Sequence, residues 1–185
     1  MKKLLPFIIL PIFLFIASCA TQSGGDTPPP TQEETASAYN RYQEIDPDDP
    51  SVPEDFIEAY QELAQDKEII KVFWKIGSYK LATATGYMDG KITHEIEERV
   101  KQYLPINADN VKIVTEPDAA DFIIEVNIIN TYKKDTGVAI LTYKYTYSLI
   151  ESATKIIHAE DTFITTFARI PGKPDSTKLL QYEWK

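Results

Sequence analysis

The side chains with the widest chemical range in this chain are its two histidines, its one cysteine and its carboxylates. The segment Thr93–Glu98 (THEIEE) begins like the helix of a zinc protease, in which a second histidine follows the first by four positions. Glu98 occupies that position here, so a metal ligand is missing and we expect no zinc. His158 has no cysteine or histidine near it in the sequence, and we expect it on a sheet surface.

Other signatures of catalysis are also missing. The sequence has no glycine-rich phosphate loop and no G-x-S-x-G turn. Glu95, Glu97 and Glu98 lie among the bases Arg99 and Lys101, which is typical of a solvated helix surface. A glycosidase-like pair of carboxylates stays open, because such pairs come from distant segments. We therefore expect no catalytic residue, no metal and no cofactor.

Cys19 is the only cysteine, and the residues before it form an export pattern. Lys2 and Lys3 precede an uncharged run of 13 residues from Leu4 to Ile16, and small residues separate that run from Cys19. These are the three parts of a secretory signal. A membrane-spanning helix needs about 20 apolar residues, so the pattern predicts a cleaved signal rather than a permanent transmembrane segment.

The segment Ile16–Cys19 (IASC) resembles the lipobox of bacterial lipoproteins. The resemblance implies acylation of the Cys19 thiol, removal of a signal peptide comprising residues 1–18, and acylation of the new amino terminus. Several acyl chains, at about 0.8 kcal/mol per buried methylene group, would anchor the protein firmly in a membrane. An aspartate after the cysteine would resemble an inner-membrane retention signal, but Ala20 is found there, so we expect an outer-membrane anchor facing the periplasm. An uncleaved anchor or a buried free cysteine is the alternative.

Charge is unevenly distributed along the chain. The net charge is −9 over 185 residues, and removal of Lys2 and Lys3 with residues 1–18 leaves −11 over 167 residues. Residues 20–55 carry nine acids and one base, whereas residues 56–185 carry 19 acids and 16 bases. Without a basic face, nothing supports a nucleic-acid partner. This length allows one domain, and its core must stabilise it without disulfides.

Residues 19–53 have the composition of an acidic, proline-containing tether. Glycine pairs, proline runs and like charges favour an extended chain with an r.m.s. reach of about 30 to 35 Å. Within it, residues 33–45 place apolar side chains at near-helical spacing and could fold on a partner. We expect the folded domain to cover residues 54–185.

Two amphipathic helices are predicted in that domain. Ser51–Glu54 has the spacing of a capping box, and a stripe of Phe56, Ile57, Tyr60, Leu63 and Ala64 follows it. The second helix runs from about residue 91 to residue 104, where Pro105 ends it. Its expected buried side chains are Ile92, Ile96, Val100 and Tyr103.

Five strands are predicted from alternating apolar and polar residues, at 68–76, 110–115, 122–130, 141–149 and 155–167. A hairpin loop is expected at residues 133–137, and Asp161 breaks the alternation of the last strand, which suggests a bulge near Glu160. Residues 169–185 have the composition of a tail whose apolar side chains dock on the domain. The fold class is therefore α+β, with a mainly antiparallel sheet of four or five strands and two helices on one face.

The alternating tyrosines Tyr143, Tyr145 and Tyr147 have two interpretations. Tyrosine is common at protein interfaces, so with Tyr132 they are candidate partner-binding residues. A row of this kind flanked by leucines is also typical of the core face of a sheet under a helix. An exposed sheet edge would offer a different partner site, through backbone pairing.

The order of elements resembles a known lipoprotein family. A strand, the segment Tyr87–Ile92 (YMDGKI), an amphipathic helix, Ala119–Ile124 (AADFII), Tyr143–Tyr145 and two returning strands are similar to the LpoB-type activators of penicillin-binding proteins. That family shares a fold resemblance with the curli-secretion lipoprotein and the amino-terminal domain of TolB. The resemblance covers roughly residues 68–167 and implies a lipid-anchored domain that contacts a peptidoglycan synthase across the periplasm.

The lipopolysaccharide-assembly lipoprotein LptE is the competing resemblance, because it also pairs one helix with strands that begin Ala-Asp-hydrophobic. Its first strand comes soon after the lipidated cysteine, whereas this chain has a long acidic tether. Neither family implies a catalytic residue, so both resemblances imply a protein that is not an enzyme. A surface-exposed, host-interacting lipoprotein is a third hypothesis. In each case the expected partners are a membrane, through the acyl chains of Cys19, and another envelope protein.

Overall fold

A computed structural model of the chain describes residues 28–47, 50–63, 67–83, 86–106, 109–173 and 175–185. The predicted signal peptide, Cys19 and the first part of the tether lie outside these residues. The helices are α1 (Gln32–Asn40), α2 (Glu54–Leu63) and α3 (His94–Gln102). The strands are β1 (Ile70–Thr83), β2 (Gly86–Asp89), β3 (Val111–Ile113), β4 (Phe122–Asp135), β5 (Val138–Glu151), β6 (Ile157–Arg169) and β7 (Thr177–Trp184), and a short 3-10 helix covers Pro117–Ala119.

The strands form one seven-stranded sheet in the order β2-β1-β4-β5-β6-β7, with β3 paired to the start of β1. β1 runs parallel to β4 and to β3, and all other neighbours are antiparallel. The α+β class with a mainly antiparallel sheet is confirmed. Its size is larger than predicted, because β2 and β7 were not predicted as strands and a third helix is present.

One face of the sheet carries α2 and α3 and holds the main core. Phe56 and Tyr60 of α2 and Val100 of α3 pack with the inward side chains of β4 and β5. The hydroxyl of Tyr60 donates to the carbonyl oxygen of Pro105 at 2.9 Å, so this buried polar group has a partner. The alternation of β4 and the stripe positions Phe56, Tyr60 and Leu63 of α2 are therefore confirmed as core-facing. Ile57 does not join this core, Ala59 is buried although it was not predicted, and Ala64 lies outside the described residues.

The β4–β5 turn and the start of α3 differ from their predicted positions. Asp135 pairs directly with Val138, so β4 and β5 are joined by only Thr136 and Gly137, both with positive φ. Two consecutive left-handed residues form the turn that suits the twist of a hairpin. In the other case, the Thr93 side chain caps α3, so Ile92 precedes the helix and is 47% exposed. The prediction that Ile92 is buried was wrong.

The bulge predicted near Glu160 in β6 is confirmed, two residues earlier in the chain. The pairing with β5 shifts between Leu149 and Ile150, which face Ala159 and Ile157, so the extra residue is His158. After this bulge Asp161 stays in phase with Phe163, on the face that carries α2 and α3. The bulge turns Ile157 to the opposite face.

α1 lies within the span predicted as tether. Thr31 caps it: its hydroxyl accepts from the Glu34 N–H at 3.2 Å, and the Glu34 carboxylate accepts from the Thr31 N–H at 2.7 Å. Ala38 packs against Val138 and Ala168 on the sheet face opposite α2 and α3. The elements that pack on the sheet therefore begin at Gln32, before the predicted domain boundary at residue 54.

Candidate protein-binding surface

The candidate metal residues on α3 form ordinary ion pairs on the surface of a helix. His94 is exposed, and its Nδ1 lies 3.9 Å from a Glu98 carboxylate oxygen. The same Glu98 oxygen lies 2.8 Å from Lys101 Nζ, and Glu95 pairs with Arg99 at 2.7 Å. In the part of the chain that the structure describes, no three histidine, cysteine, aspartate or glutamate side chains are grouped to hold a metal.

His158 contacts both the β5–β6 connection and β4. Its Nε2 lies 3.6 Å from a carboxylate oxygen of Glu151, and its ring meets the Phe122 ring edge-on with centroids 6.0 Å apart. The Thr154 hydroxyl and then His158 hold the pKa of Glu151 below its usual range. The arrangement stabilises the connection between β5 and β6.

The tyrosine row divides between core and surface. Tyr145 and Tyr147 are both 0% exposed, and burial raises the pKa of Tyr145 to about 12 and that of Tyr147 well above its usual value. A fully buried ring has no surface for a partner, so these two are removed from the partner-binding candidates. Tyr143 is half-buried under the Arg99 guanidinium, which lies 5.6 Å from its ring centroid, and Tyr132 is 51% exposed.

Tyr132 belongs to a small exposed group at the end of the sheet that carries the β4–β5 turn. It pairs with Leu141 across the hairpin, and the exposed Leu81 pairs with the exposed Met88. Leu81 shares the face of the core residue Tyr79, whose ring lies over Gly90. A side chain at position 90 would collide with that ring, which explains why glycine fits there.

The opposite face of the sheet is polar over its middle, and no element of the described part of the chain covers it there. Hydroxyl pairs link β5 to β6, at 3.1 Å between Thr142 and Thr166 and at 3.2 Å between Thr146 and Thr162. Other polar contacts on this face are Lys75 to Glu125 at 2.6 Å and Ser148 to Glu160 at 2.7 Å. Such cross-strand pairs are well satisfied in water and need no further layer.

At the end of this face nearest the β5–β6 turn the chemistry changes to apolar. Phe73 pairs with Ile123, Ile123 with Ile150, and Ile150 with Ile157, so one row of large apolar side chains crosses β1, β4, β5 and β6. We call Phe73, Ile123, Ile150 and Ile157 the isoleucine row. Four strands at about 4.8 Å spacing make it about 15 Å long. Ile157 is 55% exposed, and none of the described helices packs on it.

The isoleucine row was not predicted from the sequence, although a signal for it exists. Alternation assigns Ile123 to the polar face of β4, and Ile150 falls just outside the predicted strand. Apolar neighbours at Phe122-Ile123-Ile124, Leu149-Ile150 and Ile156-Ile157 mean that both faces are apolar at this end. Only the pairing of β1, β4, β5 and β6 joins these separate segments with Phe73 in one row.

Comparisons with known proteins give no family. No family model matches the chain, and no curated protein matches it. Among solved structures, the hypothetical protein CT253 from Chlamydia trachomatis is similar with a TM-score of 0.40 and 9% identity, over 58% of this chain and 77% of that one. Across the described residues, no helix is long and apolar enough to span a membrane.

Proposed function

We propose that this chain is an exported, lipid-anchored, non-catalytic protein whose domain binds another protein of the cell envelope. The observation that supports this proposal best is the isoleucine row, because large apolar side chains arranged continuously on a sheet face are typical of a binding surface. The lipid anchor at Cys19 is part of the same proposal and rests on the export pattern of the sequence.

The partner surface that fits the row is an apolar ridge about as long as the row itself. About 15 Å corresponds to roughly ten residues of helix, or three turns. The chain itself places a helix on this face, since α1 lies against Val138 and Ala168 at the other end. The amphipathic helix of a partner is therefore the occupant we propose for the row.

The finer proposal is that the partner is a peptidoglycan synthase and that binding activates it. This rests on the resemblance to the LpoB-type activators. A role in lipopolysaccharide assembly like that of LptE and a surface-exposed, host-interacting role are the competing proposals. Proteinase treatment of whole cells separates the third from the others, because only a surface-exposed protein is digested.

In-cell crosslinking tests the surface and the partner together. A photoreactive amino acid at position 150 or 157 is expected to capture a peptidoglycan synthase, while the same group at position 146, in the polar middle of this face, captures none. Capture of an outer-membrane barrel and no synthase would overturn the activator proposal in favour of the LptE-like one. Equal capture from positions 146 and 157 would remove the row as the binding surface.

A charge-insertion pair tests the row by loss of binding. Ile150→Asp with Ile157→Asp should weaken partner capture at least tenfold, because a carboxylate in an apolar contact loses hydration without a partner. Thr146→Asp with Thr162→Asp adds the same charge to the polar middle of this face and serves as the matched control.

For the anchor, Cys19→Ala should release the protein from the membrane fraction and abolish incorporation of labelled palmitate.

A further inference from the structure

The outer edge of β7 is an open strand edge with a groove beside it. Lys185 and Thr162 exchange both backbone hydrogen bonds, at 2.8 and 3.2 Å, and antiparallel pairing alternates from there. Glu183 and Gln181 therefore also bond to β6, which turns the N–H and C=O groups of Tyr182 and Trp184 to the outer side. Among the described residues, one backbone bond reaches this side, from the Ile45 N–H to the Leu179 carbonyl at 2.9 Å.

The segment beside β7 cannot complete the sheet itself. Residues 45–47 and 50–55 form the other wall of an open groove of about 830 Å³, whose β7 wall is Tyr182–Lys185. Pro47, Pro50 and Pro53 lack the N–H that a strand needs, so the segment joins β7 at Ile45 and then runs alongside it. A second groove of about 430 Å³ continues along the same edge past Leu180.

The groove is strongly acidic. Its lining contains Asp46, Glu54, Asp55, Asp161 and Glu183 against the single base Lys185. Lys185 Nζ is 3.6 Å from Glu183, and no other acid of this lining has a basic partner among the described residues. Partial burial and the nearby Asp55 carboxylate raise the pKa of Asp161, as expected for a carboxylate that lacks a cation.

We propose that the outer edge of β7 binds an extended, lysine- or arginine-rich segment of another protein by strand addition. The backbone of that segment pairs with Tyr182 and Trp184, and its basic side chains meet the acids of the groove. This mode takes affinity from the backbone and specificity from the side chains. A second copy of this chain is a poor occupant, because two β7 edges would bring the same acids together. This site is separate from the isoleucine row.

Peptide binding to the full chain, purified in detergent, tests the two requirements separately. The probe is a fluorescein-labelled nine-residue peptide of alternating valine and polar residues, with lysine at its first, fifth and ninth positions. One twin carries glutamate in place of lysine, and a second keeps the lysines but has methylated backbone nitrogens. Both twins are expected to bind at least tenfold more weakly by fluorescence anisotropy, and hydrogen exchange at Tyr182 and Trp184 should slow only with the lysine peptide.

Matched variants locate the site. Asp55→Asn with Asp161→Asn should weaken binding about fivefold, a magnitude typical of partly exposed charge pairs. Asp89→Asn with Asp118→Asn removes the same charge at the opposite edge of the sheet and should change nothing. Ile150→Asp with Ile157→Asp should also leave peptide binding unchanged, which separates this proposal from the proposed function.

Three outcomes would overturn the proposal. Equal binding of the methylated peptide would mean that charge alone attracts it and that the edge is not used. Unchanged binding to the Asp55→Asn and Asp161→Asn variant would place the peptide elsewhere. Failure of the lysine peptide to bind, together with self-association in sedimentation that ends when β7 is blocked, would assign the edge to a second copy.

Discussion

The sheet face opposite α2 and α3 is apolar at its two ends and polar between them. The two ends differ in whether a helix packs on them. At the end with the β4–β5 turn, α1 covers Val138 and Ala168 and buries them. At the other end, none of the described helices covers the isoleucine row. Both ends have the composition of a buried surface, so the difference lies in what covers each one.

Polar contacts fix α1 at its end of the face. The Tyr42 hydroxyl donates to Asp135 at 2.6 Å, and Lys178 Nζ donates to the carbonyl oxygens of Tyr39 and Tyr42 at 3.3 and 2.9 Å. Lys178 also lies over the Tyr39 ring, 4.4 Å from its centroid. Directional contacts of this kind specify one position for a helix, whereas the apolar contact alone would allow it to slide. Among the described residues, no helix is held over the isoleucine row by contacts of this kind, which is consistent with a partner that binds and leaves.

The largest loss of stability is expected from a substitution of Ala38, the residue by which α1 packs on the sheet. Ala38→Arg puts a charge into a site where Ala38 is 1% exposed, so α1 should detach and the free energy of unfolding should fall by about 3 kcal/mol. Urea unfolding followed by circular dichroism measures this. Ala36→Arg, on the exposed side of α1, is the control. Equal stability of the two variants would show that docking of α1 contributes nothing.

The next prediction compares one apolar residue from each end. Val138→Ala should cost about 2 kcal/mol, because it leaves a cavity between α1 and the sheet. Ile157→Ala, at the open row, should cost under about 0.5 kcal/mol in the isolated protein. Both are measured by urea unfolding. A large loss for Ile157→Ala would mean that part of this chain covers the row.

A smaller effect is expected at the turn beneath α1. Gly137 has φ +83°, and a Cβ there would meet the Thr35 side chain of α1, while Gly172 has φ +80° and open space. Alanine strains the backbone at both positions, but only at Gly137 does it also clash with α1. Gly137→Ala should therefore lower the free energy of unfolding by about 1 kcal/mol more than Gly172→Ala does. Thermal unfolding measures the difference. Equal losses would indicate that α1 moves away without cost.

The smallest effect is a pH dependence of the covered end. Hydrogen bonds from Tyr42 and then from Thr136 hold the pKa of Asp135 below its usual range. A lowered pKa in the folded state stabilises the fold above the unfolded pKa, and this contribution is lost as the pH falls through the folded value. α1 should therefore detach from the sheet more often below about pH 4, and faster cleavage of α1 in limited proteolysis measures this.

Tyr42→Phe should raise the pKa of Asp135 and move that release to higher pH, and Thr136→Ala should do so less. Carboxyl chemical shifts in an NMR titration report the pKa directly. An Asp135 pKa that is the same in Tyr42→Phe and in the original chain would contradict the assignment of Tyr42 as the main cause.

Local pattern was sufficient to predict the parts of the fold whose periodicity is strong. β4, β5 and the buried stripe of α2 follow from alternation and helical spacing, because one face of each is apolar. β7 could not be predicted in the same way, since its residues follow a proline- and glycine-rich stretch and its pairing with β6 is interrupted between Thr166 and Phe167. β2 is exposed along all four residues and shows no alternation of burial.

The candidate surfaces were harder to predict than the fold, because they depend on pairing between distant segments. The tyrosine row was identified from sequence, but whether Tyr145 faces a helix or a partner depends on where α3 crosses the sheet. The isoleucine row needs the register of four strands. Docking of α1 depends on Tyr42 reaching Asp135, 93 positions later in the chain, a contact that no local pattern contains.

Docking of α1 also sets how far the domain can travel from a membrane. If residues 20–53 were all free, a fully extended chain could hold the domain about 115 Å from an anchor at Cys19. With α1 held on the sheet, 12 residues, 20–31, separate the anchor from the helix, and their greatest span is about 40 Å. Under the lipid-anchor proposal, the Tyr42–Asp135 contact therefore limits how much of the periplasm the domain can search. Release of α1 together with the segment that follows it, up to residue 53, would nearly triple that distance.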